Sequence, residues 1–539
     1  MSEEIKVPVF VRKATGLTKE VGPWTAWLMP WYSIAGSGIT FYALRIYYKF
    51  PMTHGMLAFA IAGIPAVLSA INIAILGVCM PRSAGGYVWA TRFIDPFVGW
   101  FGAGWMYFLC YLLAVGLLTY VGPTVVGSIL AIAGSAAHIP ALTAAGEILS
   151  HQLWAIMIAA VFLNVLMLVI NSLGLKWFIR AMWLFWVINF IGVLFSAIGY
   201  YSCTPALAKA RWDATWGAGV YDAIVAITDA HDVSGYVASV SKGFWGDTIL
   251  SMTDVFWAYT AWETLAYVGG EVRAPEKSFL YYYVGGLVSC IVMYLLLSLG
   301  PLYAYGRDFL VRYNYLYELY AAGKLTAEEI AMIKMPIVTP CQPLFGASAM
   351  PVTALKIPAS FWFYPCTAVL SCYLAATRAV FGMAFDRYFP EWLATVSERF
   401  HAPIGASIAV FIISLIINAL IALGYKVFVA ASNLSFYTAW FCLMYAWAAI
   451  CMPHKRPDIW ERGIKVTIFG ITEAELFGLL ASIALFPFLF LGVVGMSLLS
   501  IEVTSLEIAI GFIIFIYYAR KNKARGISLA DTFGTVPPA

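Results

Sequence analysis

Residues Gly22 to Tyr48 read GPWTAWLMPWYSIAGSGITFYALRIYY, and the reading of this stretch decides the fold. From Trp24 onward it is long and apolar enough to cross a bilayer as a helix, which takes roughly 20 apolar residues. Its middle, however, carries Ser33, Gly36, Ser37 and Gly38, small residues that hold a continuous helix poorly. An interruption facing lipid would strand amide and carbonyl groups without partners, so it survives only when buried in protein or lining a cavity. There the N–H groups of a half-helix starting near Gly38 can hold an anion. The carbonyls ending the half before it can hold a cation. A zwitterion presents both charges close together. The competing reading is a glycine-rich packing face between helices.

Composition sets the class. The chain has 539 residues, 62% of them hydrophobic and 11% charged, with a mean hydropathy of +0.84. Soluble domains carry about 25% charged residues. This is the composition of an all-α polytopic membrane protein, and the bilayer, rather than a nucleic acid, accounts for a net charge of only +4. The first twenty-odd residues are polar and basic, with no signal peptide. Of nine cysteines, seven fall inside predicted spans as small core residues, while Cys203 and Cys341 fall in two long loops on one side, where their pairing stays open.

Hydropathy places about twelve spans, near 24–48, 55–79, 97–133, 153–173, 177–201, 248–271, 281–305, 359–385, 403–423, 427–452, 473–499 and 501–519. The third is overlong, so it is tilted or ends near Pro123. With the N-terminus inside, about 21 of the 32 Lys and Arg residues are cytoplasmic, which puts both termini in the cytoplasm. The expected division is a cytoplasmic N-terminal segment (1–23), helices 1–5 (24–201), a long external loop (202–247), and helices 6–10 (248–452) with a second external loop (306–358). Helices 11 and 12 (453–519) and a cytoplasmic tail (520–539) follow. The first loop shows no strong periodicity. In the second, a helix is expected after Asp308 and another after Thr326, where Thr326-Ala327-Glu328-Glu329 matches a capping box. Loops of this length either have a task or are disordered. Their Trp, Tyr and Ile content favours an ordered cover over the outer mouth.

The sixth span, TILSMTDVFWAYTAWETLAYVGG from Thr248, holds Asp254 and Glu263. A carboxylate at mid-membrane costs about 2.5–3.5 kcal/mol on insertion scales and marks a functional site by default. Asp254 lies nearer the outer surface, where snorkelling or pairing at a gate competes with a substrate role. Glu263 is deeper, and desolvation there makes it a proton carrier or a neutral hydrogen-bond donor. The alternative is a neutral Glu tying two helices together. The first and sixth spans are thus both interrupted by small or polar residues, five spans apart. A five-helix unit repeated in inverted topology would bring them face to face. An enzyme is not expected, and no catalytic residue, cofactor or metal site is assigned. The six histidines are scattered, with no i, i+4 metal pair, phosphate cradle, Cys-x-x-Cys pair or nucleophile elbow.

Five motifs in order, from about Gly22 to about Asp458, resemble the amino acid–polyamine–organocation transporter superfamily. They are Ile34-Ala35-Gly36-Ser37-Gly38-Ile39; Pro81 to Tyr87 with Asp95 to Trp100; Asn171 to Lys176; Trp257 to Glu263 with Glu271 to Pro275; and Arg378 with Phe385 to Pro390 and Ala402-Pro403. The resemblance implies a leucine-transporter-like fold, a 5+5 inverted repeat plus two C-terminal helices, with the first and sixth helices discontinuous. It implies that a substrate carboxylate meets Ser37 and the amides around Gly38, beside Ala35 and Gly36. The ammonium would meet carbonyls of Ile34, Trp257 and Thr260. Trp257 would stack on the substrate, Tyr259 would line the same wall, and Glu263 would carry the pH response. Ala261 stands where a glycine is usual, which would make the break less open. Asn189 stands at the place of the fifth-helix lysine of proton-coupled relatives, so the lysine route is not expected. A sodium site would draw on Thr367 and Ser371.

The function expected is that of an amino acid permease of the cytoplasmic membrane, working by alternating access with a proton or sodium as coupling ion. The aromatic sixth-helix wall suits a neutral, apolar or aromatic amino acid, and Asp254 keeps an amine or polyamine in play. A sensor that binds an amino acid without moving it is the reading from another class.

Overall fold

The computed structural model describes residues 8–12, 14–34, 45–333, 335, 337, 364–425 and 434–538. The apolar runs fold as helices because a helix satisfies every interior amide and carbonyl within its own segment. In chain order the principal ones are α1 (Pro23–Ile34), α2 (Gly55–Cys79), α3 (Pro96–Ala136), α4 (Leu153–Ser172), α5 (Leu175–Tyr201) and α6 (Gly243–Ala258). These are followed by α7 (Val284–Ala321), α8 (Tyr364–Phe385), α9 (Ile404–Ala422), α10 (Leu434–Lys455), α11 (Glu473–Val494) and α12 (Leu498–Ala524). Ten of these are long and apolar enough to cross a membrane, which makes the chain a multi-pass, all-α membrane protein. Among the described residues, the two that fall short are α1, described over 12 residues, and α6, at 16. The most buried span is α8, while α11 and α12 lie at the periphery with most of their surface open to lipid.

Several expectations change. The third span does not end near Pro123: it runs 41 residues to Ala136 and opens with a π-helical segment, Trp100–Trp105. Its far end is covered by a helix, Pro140–His151, that packs back on it so closely that a Cβ on Gly146 would come within 2.6 Å of the Gly127 carbonyl. Small residues on both sides make this contact, and hydropathy does not register it. The loop 202–247, without strong periodicity as sequence, contains three short helices, Pro205–Trp216, Val220–Ala230 and Val233–Val240. Their signals are local: Thr204 caps the first through the Leu207 amide (3.3 Å), and Asp232 caps the third through the Gly235 amide (3.0 Å). The helix expected after Asp308 is continuous with the seventh span, set off by a kink at Gly306 (φ 77°). The helix Ala327–Ile333 starts at the expected capping box, with the Thr326 amide donating to Glu329 (2.7 Å) and the Glu329 amide to Thr326 Oγ1 (3.2 Å).

These pieces form one aromatic-cored cap. Trp212 is buried against Phe309 and Tyr313, and Tyr221 stacks on Phe309 with centroids 4.0 Å apart. The cap is joined to the chain entering α2: Tyr236 stacks between Tyr48 (5.2 Å) and Tyr315 (4.6 Å) and donates to the Tyr48 carbonyl (2.6 Å). Cys341 lies outside the described residues.

The opposite face is knitted by the two terminal segments. The Val11 amide donates to the Phe385 carbonyl (3.1 Å), and Val21 pairs with Val272 below the sixth span. The tail folds back through a short helix, Leu529–Phe533, so that Arg92 donates to the Thr532 carbonyl (3.3 Å) and Arg82 to the Pro537 carbonyl (2.8 Å).

Candidate functional site

The sixth span is severed. Helix α6 stops at Ala258, residues 259–263 form turns, and a one-turn helix, Thr264–Tyr267, resumes before a 3₁₀ turn, Gly269–Glu271. Ala261 has φ +84°, the left-handed region that favours glycine and costs a side-chain-bearing residue roughly 1–2 kcal/mol. The alanine at this position therefore does not close the break; the surrounding packing holds the strained turn. Local bonds replace helical ones, with the Thr260 amide donating to the Trp257 carbonyl (3.0 Å) and the Thr264 amide to the Ala261 carbonyl (3.3 Å).

The first span is described as a helix from Pro23 to Ile34. Ala35, Gly36, Ser37 and Gly38, the expected carboxylate cradle, lie outside the described residues. Ile34 is described, and its carbonyl accepts a hydrogen bond from Tyr294 on α7, whose hydroxyl also lies 3.0 Å from the carbonyl of Ala258. The Ile34 carbonyl of α1 and the Ala258 carbonyl at the C-terminal end of α6 thus converge on one hydroxyl. The end of α6 carries the negative pole of its helix dipole. A hydroxyl has a single proton to give, so it satisfies one of these two carbonyls at a time.

The other predicted residues are distributed around it. Trp257 and Thr260 keep part of their surface accessible, while Val255, Phe256, Ala258, Tyr259 and the residues from Ala261 to Glu263 are buried. Thr438 on α10 donates to Thr260 (3.3 Å). Tyr259 is wholly buried, its ring packed against that of Tyr294 (5.2 Å) and its hydroxyl donating to the Phe59 carbonyl on α2 (2.9 Å). Ser371 on α8 accepts from Ser33 in the last turn of α1 (3.2 Å), with Thr367 buried one turn before it. Asn189 on α5 is buried, and its side-chain oxygen has no hydrogen-bond partner among the described residues. Asp254, four residues before α6 stops at Ala258, is paired with Lys49 (2.9 Å).

Glu263 is fully buried; Oε1 accepts from Tyr111 on α3, and Oε2 has no partner among the described residues. Around it, Tyr107 stacks on Tyr267 (3.6 Å), and Tyr445 donates to the Tyr267 hydroxyl (3.0 Å). Sequence reasoning missed Tyr294 and Tyr111. The available signal was a lone hydroxyl in each of two otherwise apolar runs, Ile291 to Leu297 and Phe108 to Leu113. Among the described residues no group of three or more His, Cys, Asp or Glu side chains could hold a metal ion.

Set against known proteins, residues 21–516 match a family model described as amino acid permease. No curated protein matches the chain.

Proposed function

The chain belongs to the amino acid permease family, a family of membrane transporters rather than enzymes, and from that premise we propose that it carries amino acids across the cytoplasmic membrane by alternating access. The observation that supports this most is the convergence of the Ile34 and Ala258 carbonyls on Tyr294, which suits a substrate ammonium. The carboxylate is assigned to Ser37 and the amides around Gly38, with Ala35 and Gly36 in the same cradle. Trp257 and Thr260, the accessible positions at the sixth-helix break, form the opposite wall. Tyr259 supports that wall from behind. The wall favours a neutral, apolar or aromatic amino acid. An amine or polyamine is disfavoured, because Lys49 already neutralises Asp254. The four-helix unit holding the first and sixth spans rocks against the remainder, within a 5+5 inverted repeat whose termini face the cytoplasm.

Glu263 carries the pH response through the Tyr111 bond, and Ser371 with Ser33 marks where sodium would act instead. Uptake of labelled amino acids into proteoliposomes, under imposed proton or sodium gradients, tests carriage and coupling together. Trp257→Ala is expected to abolish uptake, and Glu263→Gln to flatten its pH dependence. Exclusion of every common amino acid and amine would sink the substrate class. Ligand-dependent stabilisation without any flux would favour a sensor.

A further inference from the structure

Between α10 and α11 the chain forms a two-stranded antiparallel ribbon, Thr467–Ile468 paired with Ile471–Thr472. Residues opposite one another in such a pair share a face, and neighbours along a strand alternate. One face of this ribbon therefore carries Ile468 and Ile471. Val466 and Ile464 extend the same alternation in the lead-in segment, with the Glu473 amide donating to the Val466 carbonyl (2.9 Å). The other face carries Lys465, Thr467 and Thr472. All four apolar side chains are exposed, by 41–49%, and Phe469 at the tip is 100% exposed. An isolated two-stranded hairpin is marginal in water, and an unburied apolar face does not help it.

The tip is also unusual. Phe469 (φ 52°) and Gly470 (φ 80°) both have positive φ, the two-residue turn that normally takes Asn-Gly. An aromatic residue there is held in a disfavoured conformation and fully outside the protein.

The surroundings identify what covers this face. The ribbon runs directly into α11, whose first residue, Glu473, turns into the protein to accept from Trp460 Nε1 (2.9 Å) and the Val466 amide (3.1 Å). Phe469 is four residue steps from Glu473, the start of a membrane span, so the tip cannot lie more than about 14 Å along the chain from the bilayer boundary. The ribbon also sits on the face that carries the two terminal segments: a Cβ on Gly463 would come 2.5 Å from Cys79 Sγ at the end of α2. Arg462 and Lys465 flank it, matching the phosphates of anionic headgroups.

We propose that this ribbon is an interfacial anchor. Its apolar face lies in the headgroup–acyl boundary of the leaflet next to the terminal segments, Phe469 inserts deepest, and Arg462 and Lys465 hold anionic lipid phosphates. The anchor fixes the depth of α11 and makes it sensitive to headgroup charge.

Nitroxide labels at Phe469→Cys, Ile471→Cys and Thr467→Cys test this on the full-length chain in vesicles, with the unsubstituted chain labelled in parallel to subtract native cysteines. All three sites are exposed, so the substitutions spare the core. In phosphatidylcholine vesicles containing one-third phosphatidylglycerol, the labels at 469 and 471 should collide several-fold more with oxygen than with a water-soluble nickel chelate. The label at 467 should show the reverse. Removing phosphatidylglycerol, or making Arg462→Gln with Lys465→Gln, should raise nickel access at 469. Equal nickel access at 469 and 467 in pure lipid vesicles would overturn the proposal and leave the face to a soluble partner. No step of this test requires transport, so its failure and that of the permease mechanism are separable.

Discussion

The two ends of the molecule handle charge in opposite ways. On the face that carries both terminal segments, Arg378 forks onto Glu271 (2.8 and 3.0 Å) and Arg92 onto Asp386 (2.7 and 3.0 Å), with all four side chains no more than 2% exposed. Tyr87 adds a third bond to Asp386 (2.8 Å), and Phe533 of the tail lies over the Arg92 guanidinium (5.1 Å). In the cap, Lys49–Asp254, Lys209–Asp222 and Arg312 with Asp229 and Asp308 each keep at least one partner half open to water. There the joints are aromatic, as in the Tyr48–Tyr236–Tyr315 stack. The difference teaches where each element's hold on its neighbours resides. A half-broken buried pair strands a charge in a dry site, whereas an exposed pair that parts is simply hydrated.

Breaking the inner pairs should have the largest effect. Arg378→Met leaves Glu271 buried alone and should cost roughly 3–5 kcal/mol, read as a lowered Tm in detergent. Replacing both partners with methionine should recover much of that loss, and a double variant as unstable as the single one would deny that the stranded charge is the cause. Arg92→Met should cost less, since Tyr87 still donates to Asp386.

In the cap, Tyr236→Ala removes two stacking contacts and one hydrogen bond, about 2 kcal/mol together. The loss should appear as faster amide exchange in the helices Val220–Ala230 and Val233–Val240, with the transmembrane helices unchanged. Lys49→Met or Asp254→Asn should change stability by no more than about 1 kcal/mol, and by less at high salt. A loss rivalling that of Arg378→Met would erase the contrast between the faces.

The smallest effect is a pH response of the cap. The Thr326 amide and hydroxyl, with His231 beside them, hold the Glu329 carboxyl below its ordinary range. A lowered value in the fold means that the contribution is complete above the unfolded value and is lost as pH falls through the folded one. Exchange in Ala327–Ile333 should therefore rise only on acidification below the ordinary carboxylate range, and a rise already at higher pH would deny that the Glu329 carboxyl is the cause.

Much of this architecture was legible in the chain. The spans expected at 55–79, 153–173 and 403–423 appear as Gly55–Cys79, Leu153–Ser172 and Ile404–Ala422, because a 30 Å apolar requirement is a local property of composition. The sixth-helix break was legible too, from polar residues where lipid forbids them. What escaped was of another kind. The helices of the 202–247 loop are too short for a periodic signal, and their stability comes from Trp212 and Phe309, which meet across about a hundred residues. The role of Tyr294 was invisible because a tyrosine in an apolar run has no intrinsic partner. Its importance lies in Ile34, 260 residues away.

The sequence by itself determined that this chain lives in a bilayer, about where it crosses, and that the sixth crossing could not remain a plain helix. These follow from the cost of burying polar groups in hydrocarbon, which each segment meets alone. Only the tertiary structure decided which hydroxyl sits between the Ile34 and Ala258 carbonyls, which carboxylates are paired and which apolar ribbon was left uncovered. Such matches depend on where distant segments come to rest, and no local free energy encodes that.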